Sequence, residues 1–319
     1  MTNLIWQAMN TAKEAIRVAR PIHWVKNFAL FAAIFLTGTL FEKGLLANVI
    51  ISFISFSLAT SATYIFNDIM DAKRDVLHPH KKNRPIASGK LPLNLAIFEM
   101  LILLFVSLVI AEALNHLFFV LLVFYLSMQV LYSLGLKNIH VIDILIIATG
   151  FILRVYAGAL VIDAHLSVWF LLCVVSASLF LAAGKRRSEI NLSNAEDGRT
   201  RLSLSKYSRE LLNSYVTMFG NATWMSWGLY TFYESPRASL DFWLLLAEVS
   251  KATTVNKLMM ATIPLVIFGI MRYQVLIFEG KSEAPEKLFL SDKALIISIS
   301  LWVGFVYFIL YSGVSVRGI

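Results

Sequence analysis

Charged residues are scarce in this chain of 319 residues: Asp, Glu, Lys and Arg make up 15% of it, and apolar residues 58%. Soluble globular domains are about one quarter charged and about one half apolar, so the composition argues for a membrane protein. Cysteine is limited to Cys173, which excludes an internal disulfide and is typical of a small buried residue. No low-complexity segment or fixed-period repeat is visible. The first apolar run lacks a small-residue cleavage site, so we expect no cleavable signal peptide.

Long apolar runs are what the chain has in abundance. A helix needs about 20 apolar residues to cross the hydrocarbon core, and runs this uniform are too long for barrel strands. The first run is short, and its helix can begin earlier in the chain. We predict an all-α membrane protein, one domain over residues 1–319, with nine transmembrane helices at 28–42, 46–67, 93–113, 115–134, 141–161, 166–184, 211–232, 257–278 and 293–315.

The distribution of lysine and arginine predicts the orientation of these helices. With the N-terminus inside, 22 of the 28 Lys and Arg residues fall in inner segments and five in outer segments, Arg154 lying mid-span. The positive-inside rule therefore predicts a cytoplasmic N-terminus and an outer C-terminus, and we expect the protein in the plasma membrane. Segment 1–20 has helical periodicity, with Lys13 and Arg17. It is either an interfacial helix or an extension of the first bundle helix.

Acidic residues number only 20, and three of them follow the second run, within residues 67–75. On a helix the spacing i, i+3, i+7 places Asp68, Asp71 and Asp75 on one face, with Asn67 at its edge. Like charges stacked in this way repel unless a cation compensates. Oxygen ligands without His or Cys suit Mg²⁺ bound to a diphosphate. The alternative is a solvated helix end whose acids pair with neighbouring cations.

Cations gather on the same predicted side of the membrane, in two segments that we expect to be cytoplasmic active-site loops, 67–92 and 184–210. Residues 78–90 contain two prolines and a glycine, which predicts an ordered loop rather than a helix. Arginine matches phosphate in a bidentate way, and lysine acts as a point charge. The positive-inside rule also explains loop cations without any function. Both explanations stay open for Arg84, Lys137, Lys185 and Arg186.

Arg154 differs from these cations because it lies near the middle of the fifth run. A charge inside the membrane faces the bundle interior or water and has a partner. Asp143 is ~16 Å away by helix rise, too far for direct pairing. Arg154 therefore either binds a phosphate group deep in a cavity or has a structural role, for instance bonding a carbonyl near Gly150.

At these residues the chain resembles the UbiA superfamily of intramembrane prenyltransferases, over nearly its whole length. Asn67-Asp68-x-x-Asp71-x-x-x-Asp75 is similar to the first aspartate-rich motif of that family, whose acids bind diphosphate through Mg²⁺. The resemblance implies nine helices around a central cavity open laterally to lipid. The family's second aspartate-rich motif is different here, because Gly184-Lys185-Arg186-Arg187-Ser188-Glu189 contains one acid and three cations.

Further motifs resemble a subfamily that transfers 5-phosphoribose from phosphoribosyl diphosphate to a polyprenyl phosphate such as decaprenyl phosphate, a step in cell-envelope glycan precursor synthesis. They are Arg20-Pro21-x-x-Trp24-x-Lys26-Asn27, His78-Pro79-x-Lys81-x-x-Arg84-Pro85-Ile86-Ala87-x-Gly89, Tyr132-Ser133-x-x-x-Lys137, Ile142-Asp143, Gly150-Phe151-x-x-Arg154 and Ala183-Gly184-Lys185-Arg186. The resemblance implies catalytic roles for Asp68, Asp71 and Lys137, and metal binding by Asp68, Asp71 and Asp75. It implies substrate binding by Lys26, Asn27, Asn67, Lys81, Arg84, Tyr132, Arg154, Lys185, Arg186 and Glu189.

The charge of the substrates agrees with this subfamily. Phosphoribosyl diphosphate and a lipid phosphate together carry more phosphate groups than a prenyl diphosphate, so exchanging an acidic motif for Lys185-Arg186 is the expected change. An acceptor phosphate is already ionised, so we expect no general base and no catalytic histidine. Two alternatives are a prenyltransferase acting on an aromatic acceptor and a lipid-phosphate carrier without enzymatic activity. We expect no nucleic-acid partner, and a homo-oligomer stays open.

Overall fold

The computed structural model describes residues 2–77, 81–193, 206–234, 255–279 and 285–311, and the regular structure within these ranges is all helical. The α-helices are α1 (Thr2–Ala19), α2 (Phe31–Leu36), α3 (Leu45–Asp75), α4 (Leu93–Leu114), α5 (His116–Leu134), α6 (Ile142–Val161), α7 (Val168–Ser193), α8 (Arg209–Tyr233), α9 (Ile263–Phe278), α10 (Pro285–Ser291) and α11 (Lys293–Tyr311). The 3-10 helices are Pro21–Leu30, Lys81–Asn83, Leu136–Asn138 and Val255–Thr262.

Seven helical segments in the described part of the chain are long and apolar enough to cross a membrane. They are Leu45–Asp75, Leu93–Leu114, His116–Leu134, Ile142–Val161, Val168–Ile190, Leu258–Phe278 and Lys293–Tyr311. The chain is therefore a multi-pass membrane protein. The α4 helix illustrates the lipid-facing surface, because its large apolar side chains, such as Phe98 and Phe105, are exposed.

The two remaining predicted spans, 28–42 and 211–232, do not meet this criterion. The α2 helix has only six residues, and the helical segment before it begins at Pro21, earlier than the predicted run. The α8 helix has 25 residues but carries Asn213, Asn221 and several Ser and Thr residues, which lower its hydropathy. A total of nine spans, and the direction in which the chain crosses the membrane, thus stay predictions.

The N-terminal segment forms a helix of its own. Arg20, between α1 and the next helical segment, has a left-handed backbone with φ 51°. Pro21 follows it, and a residue before proline is disfavoured in the helical region, so the helix ends there. Val18 packs against Ile65 and Leu91, whereas Met9 and Ile16 are exposed. The α1 helix is therefore separate from the first bundle helix.

The prediction of a loop at 184–210 is wrong for its first ten residues, because α7 continues as a helix to Ser193. Glycine inside a helix costs only about 1 kcal/mol, which packing can offset. A Cβ on Gly184 would lie 2.6 Å from the Ile277 side chain and 3.1 Å from Tyr273, so glycine allows α7 to approach α9 closely. The ion pair between Arg186 and Glu189, three residues apart, supports the final turns. Similarly, α3 extends to Asp75, so the acidic residues belong to a helix rather than to a loop over 67–92.

Small residues bring the helices near the site into close contact, as is common in membrane bundles. A Cβ on Gly158 of α6 would lie 1.9 Å from the backbone oxygen of Leu30, so α6 lies directly against the first 3-10 helix. Ser55 of α3 and Ser107 of α4 each donate a hydrogen bond to the other's backbone oxygen, both at 2.8 Å. These contacts hold α3 in the interior of the bundle, where its C-terminal end carries the acids.

Candidate active site

The C-terminal end of α3 presents the three predicted acids on one face. Asp68 and Asp75 are buried, and Asp71 is half-buried. Three buried or half-buried carboxylates on one stripe repel one another, so the helix needs compensating cations from other segments.

Those cations come from three separate parts of the chain. Arg20, at the break after α1, donates to Asp68 Oδ1 at 2.5 Å. Arg84, in the loop before α4, places Nη1 3.0 Å from Asp68 Oδ1 and 2.6 Å from Asp75 Oδ2. The loop itself is ordered by backbone hydrogen bonds such as Ser88 N–H to Arg84 O at 2.8 Å, as predicted for this part of residues 78–90. His78, Pro79 and His80 lie outside the described residues.

Lys137 is the third cation, in the 3-10 turn between α5 and α6. It is buried, and its Nζ lies 2.9 Å from both carboxylate oxygens of Asp71. Asn67 joins the same group: its side-chain oxygen accepts from Lys137 and from Ser133, both at 3.3 Å, and its Nδ2 donates to Asp71 at 3.1 Å. The structure thus brings together Asn67, the three acids, Arg84 and Lys137.

The acidic face also offers an oxygen to a metal ion. Asp68 Oδ2 is buried and makes no hydrogen bond in the described structure. No group of three or more His, Cys, Asp or Glu residues that could hold a metal occurs among the described residues. Mg²⁺ is usually held by one or two carboxylates and completed by substrate phosphates and water, so this donor set fits that mode of binding.

A second group of residues lies at the end of α7, around Arg186. This arginine is fully buried, and it donates to Glu189 Oε2 at 2.5 Å and to the Tyr132 hydroxyl at 2.9 Å. Its Nε lies 2.6 Å from Asp143 Oδ2. The two atoms form an ion pair, but their geometry is not that of a hydrogen bond. The guanidinium is therefore committed to protein partners. Tyr132 and Ser133 are neighbours on α5 and connect this group to Asn67 and the acids.

Lys185 and Lys26 add positive charge beside Arg186. Lys185 is half-buried, and it lies within electrostatic range of Glu189, Lys26 and Arg186. Several cations held so close together favour an anionic ligand. Lys81 is half-buried in the loop after α3, close enough for its charge to act on Asp75.

Arg154 and Asn27 form a unit apart from both groups. Arg154 is buried, and it donates to Asn27 Oδ1 at 2.7 Å, to the Gly150 backbone oxygen at 2.5 Å and to the Tyr125 hydroxyl at 3.1 Å. Its guanidinium also lies 5.0 Å from the centre of the Phe56 ring, a cation–π distance. No carboxylate in the described residues pairs with it. Of the two interpretations of Arg154, this geometry favours the structural one, with Gly150 as an actual partner.

Three further residues belong to these groups and escaped the sequence-based list of site residues. Arg20 and Asp143 lie in motifs quoted above. The available signal was an Arg-Pro pair just before the first span for Arg20, and an acid at the start of a span for Asp143. Tyr207 carried no signal at all. Its hydroxyl donates to Asp143 at 2.7 Å, and burial together with this bond raises the pKa of the phenol.

Comparisons with known proteins agree with this fold. A model of the UbiA prenyltransferase family matches residues 27–189. Decaprenyl-phosphate phosphoribosyltransferase from Mycolicibacterium smegmatis is 35% identical over 299 residues, covering 92% of each chain. The protein of the same name from Corynebacterium glutamicum is 33% identical, covering 92% of this chain and 86% of the relative.

Solved structures show the same architecture. A UbiA homolog from Archaeoglobus fulgidus, bound to GPP and Mg²⁺, has a TM-score of 0.65 at 16% identity, covering 93% of this chain and 99% of that one. A UbiA homolog from Aeropyrum pernix K1 has a TM-score of 0.58 at 17% identity, covering 88% and 96%. Fold and site together define a multi-pass membrane transferase. The chain belongs to the UbiA prenyltransferase family.

Proposed function

We propose that this protein transfers 5-phosphoribose from phosphoribosyl diphosphate to a polyprenyl phosphate and releases diphosphate. The observation that carries the proposal is the end of α7, where Lys185 lies within electrostatic range of Lys26 and Arg186, so that three cations face two acids, Asp143 and Glu189. Such a site suits an additional phosphate group better than a second metal-bound diphosphate. The names of relatives at 33–35% identity support the same donor and acceptor.

In this proposal the acidic face of α3 receives the diphosphate of the donor. One or two of the carboxylates of Asp68, Asp71 and Asp75 would hold Mg²⁺, which when bound neutralises charge on the leaving diphosphate. Arg20, Arg84 and Lys137 already lie against these acids and keep them oriented. A UbiA homolog of similar fold has been solved with GPP and Mg²⁺, which supports a divalent metal here as well.

The reaction forms a bond between an oxygen of the acceptor phosphate and C1 of the ribose, while the bond from C1 to the diphosphate oxygen breaks. The diphosphate leaves with the electron pair, and C1 gains positive character on the way. The acceptor is already ionised, so no residue needs to take a proton. The protein would contribute mainly position and charge: Lys137 near the leaving group, and Lys26, Lys81 and Lys185 near the remaining phosphates.

The proposal includes the setting of the reaction. The chain would lie in the plasma membrane with its N-terminus and the acidic face on the cytoplasmic side, where a water-soluble donor is available. The polyprenyl tail would lie in apolar surroundings within the bilayer. The product would serve cell-envelope glycan synthesis.

A prenyltransferase acting on an aromatic acceptor is the second candidate, favoured by the fold neighbour solved with GPP. One assay separates the candidates. Purified protein in lipid is incubated with Mg²⁺, polyprenyl phosphate and phosphoribosyl diphosphate labelled in the ribose, and the organic phase is counted. We expect label there. The reaction is repeated with a labelled prenyl diphosphate and an aromatic acceptor as substrates. Transfer in this second reaction alone would support the second candidate, and no transfer in either reaction would indicate a carrier.

A further inference from the structure

Tyr207 lies just before α8, 64 residues after the acid that it contacts. Its side chain is buried, and its ring packs on His140 with centroids 4.0 Å apart. The hydroxyl donates to Asp143 Oδ1 at 2.7 Å and accepts from the backbone N–H of Val141 at 2.8 Å. A single phenol thus fixes two points at the start of α6.

The first of these points is linked to Arg186. Burial and the bond to Asp143 raise the pKa of Tyr207, so the phenol stays neutral and acts as the donor. Asp143 Oδ1 also accepts from the Ile144 N–H at 2.9 Å, and its Oδ2 lies 2.6 Å from Arg186 Nε. Because Tyr207 holds Oδ1 of Asp143, Oδ2 points toward the guanidinium of Arg186. Arg186 in turn holds the Tyr132 hydroxyl at 2.9 Å.

The second point is linked to Lys137. Val141 has φ 68° and ψ −45°, and a positive φ is a genuine outlier for a β-branched residue. Strained backbone of this kind persists only where its surroundings hold it, and it clusters at functional sites. Val141 closes the short segment 136–141 that also carries Lys137, and the Tyr207 hydroxyl satisfies its N–H. Tyr207 therefore holds the far end of the turn from which Lys137 reaches Asp71.

We propose that Tyr207 is a positioning residue, which sets Lys137 and Arg186 in their places at the same time. The inference rests on the proposed function, because it assigns a role in that reaction. It explains why a residue from a segment remote in sequence is buried against the start of α6. It also predicts that Tyr207 acts on Arg186 through Asp143 and on Lys137 through the Val141 N–H.

The test is Tyr207→Phe, which removes the hydroxyl and keeps the ring that packs on His140. Tyr215→Phe is the matched control, because Tyr215 lies close by on α8 and its hydroxyl makes no hydrogen bond in the described structure. We expect kcat per folded molecule to fall about 10- to 100-fold in Tyr207→Phe, as for a displacement of catalytic groups by a fraction of an ångström to 1 Å. The KM for phosphoribosyl diphosphate should change little, since the loss lies in the transition state.

A double variant tests the route. Combining Tyr207→Phe with Asp143→Asn should lower kcat by less than the product of the two single effects, because both changes break the link between Tyr207 and Asp143. Losses that multiply, or a Tyr207→Phe protein as active per folded molecule as Tyr215→Phe, overturn the inference. Wild-type protein without phosphoribosyl transfer would instead refute the proposed function, and with it the role of Tyr207 in that reaction.

Discussion

Replacing Lys137 by methionine removes the cation that the structure places at Asp71 while keeping an apolar side chain of similar length. Lys137 is 3% exposed, and its Nζ lies 2.9 Å from both Asp71 oxygens. Breaking a fully buried ion pair costs about 3–5 kcal/mol. The Asp71 side chain, however, is 14% exposed and keeps Arg74 at 2.8 Å. We therefore expect a smaller loss of stability, about 1.5–3 kcal/mol, as for a hydrogen bond to a charged group.

We expect Lys137→Met to affect kcat more than it affects the free energy of unfolding. Loss of one preorganised positive group beside developing negative charge typically lowers kcat by about 10²- to 10³-fold. Lys137→Arg keeps the charge but replaces a compact ammonium by a planar head, so it should recover only part of the rate. Lys43→Met is the control, because Lys43 is exposed in the turn before α3, at the end of that helix remote from the acids.

The assay measures kcat and KM per folded molecule in lipid nanodiscs, with thermal unfolding followed in the same samples. If Lys137→Met retained a kcat within a few-fold of that of Lys43→Met, Lys137 would be a structural partner of Asp71 only. The reasoning that places a cation at the leaving group would then be refuted.

Three other predictions concern packing, the buried arginine and the metal. Gly158→Ala should strongly lower the thermal unfolding temperature, because its Cβ would lie 1.9 Å from the Leu30 backbone oxygen; Gly304→Ala, where nothing lies within 4 Å, should unfold like the wild type. Arg154→Met should destabilise the protein by about 2–4 kcal/mol because it removes the side-chain hydrogen bonds to Asn27, Gly150 and Tyr125. The KM of its folded fraction should stay unchanged, and a raised KM would restore Arg154 to the substrate site. Chelation of divalent ions should abolish transfer, and added Mg²⁺ should restore it; transfer that persists in excess chelator would remove the metal from the mechanism.

Local periodicity explains what the sequence could predict. The spacing of Asp68, Asp71 and Asp75 follows directly from the helical repeat, and the structure places all three on one face of α3. The apolar runs likewise predicted helices because each run satisfies its own backbone. For single cations such as Lys137, the sequence left two explanations open: a role in the site, or the positive-inside rule alone.

Contacts between distant segments were beyond sequence reasoning. Arg20 meets Asp68 across 48 residues and Tyr207 meets Asp143 across 64, and neither pairing follows from a local pattern. The continuation of α7 through Arg186 was missed for a related reason. Gly184 and the charges after it resemble a helix end, and only the packing of α7 on α9 shows why the glycine is needed.

The most direct test of the account is the rate of diphosphate release by Asp68→Asn. This change removes the charge of Asp68, whose Oδ2 is the buried oxygen left without a hydrogen bond, and keeps its shape. Asp163→Asn is the control at an exposed left-handed position that asparagine tolerates. With Mg²⁺, phosphoribosyl diphosphate and polyprenyl phosphate present, we expect Asp163→Asn to release diphosphate at the wild-type rate and folded Asp68→Asn to release none above background. Release by Asp68→Asn at the wild-type rate would contradict the assignment of the acidic face of α3 as the site of reaction.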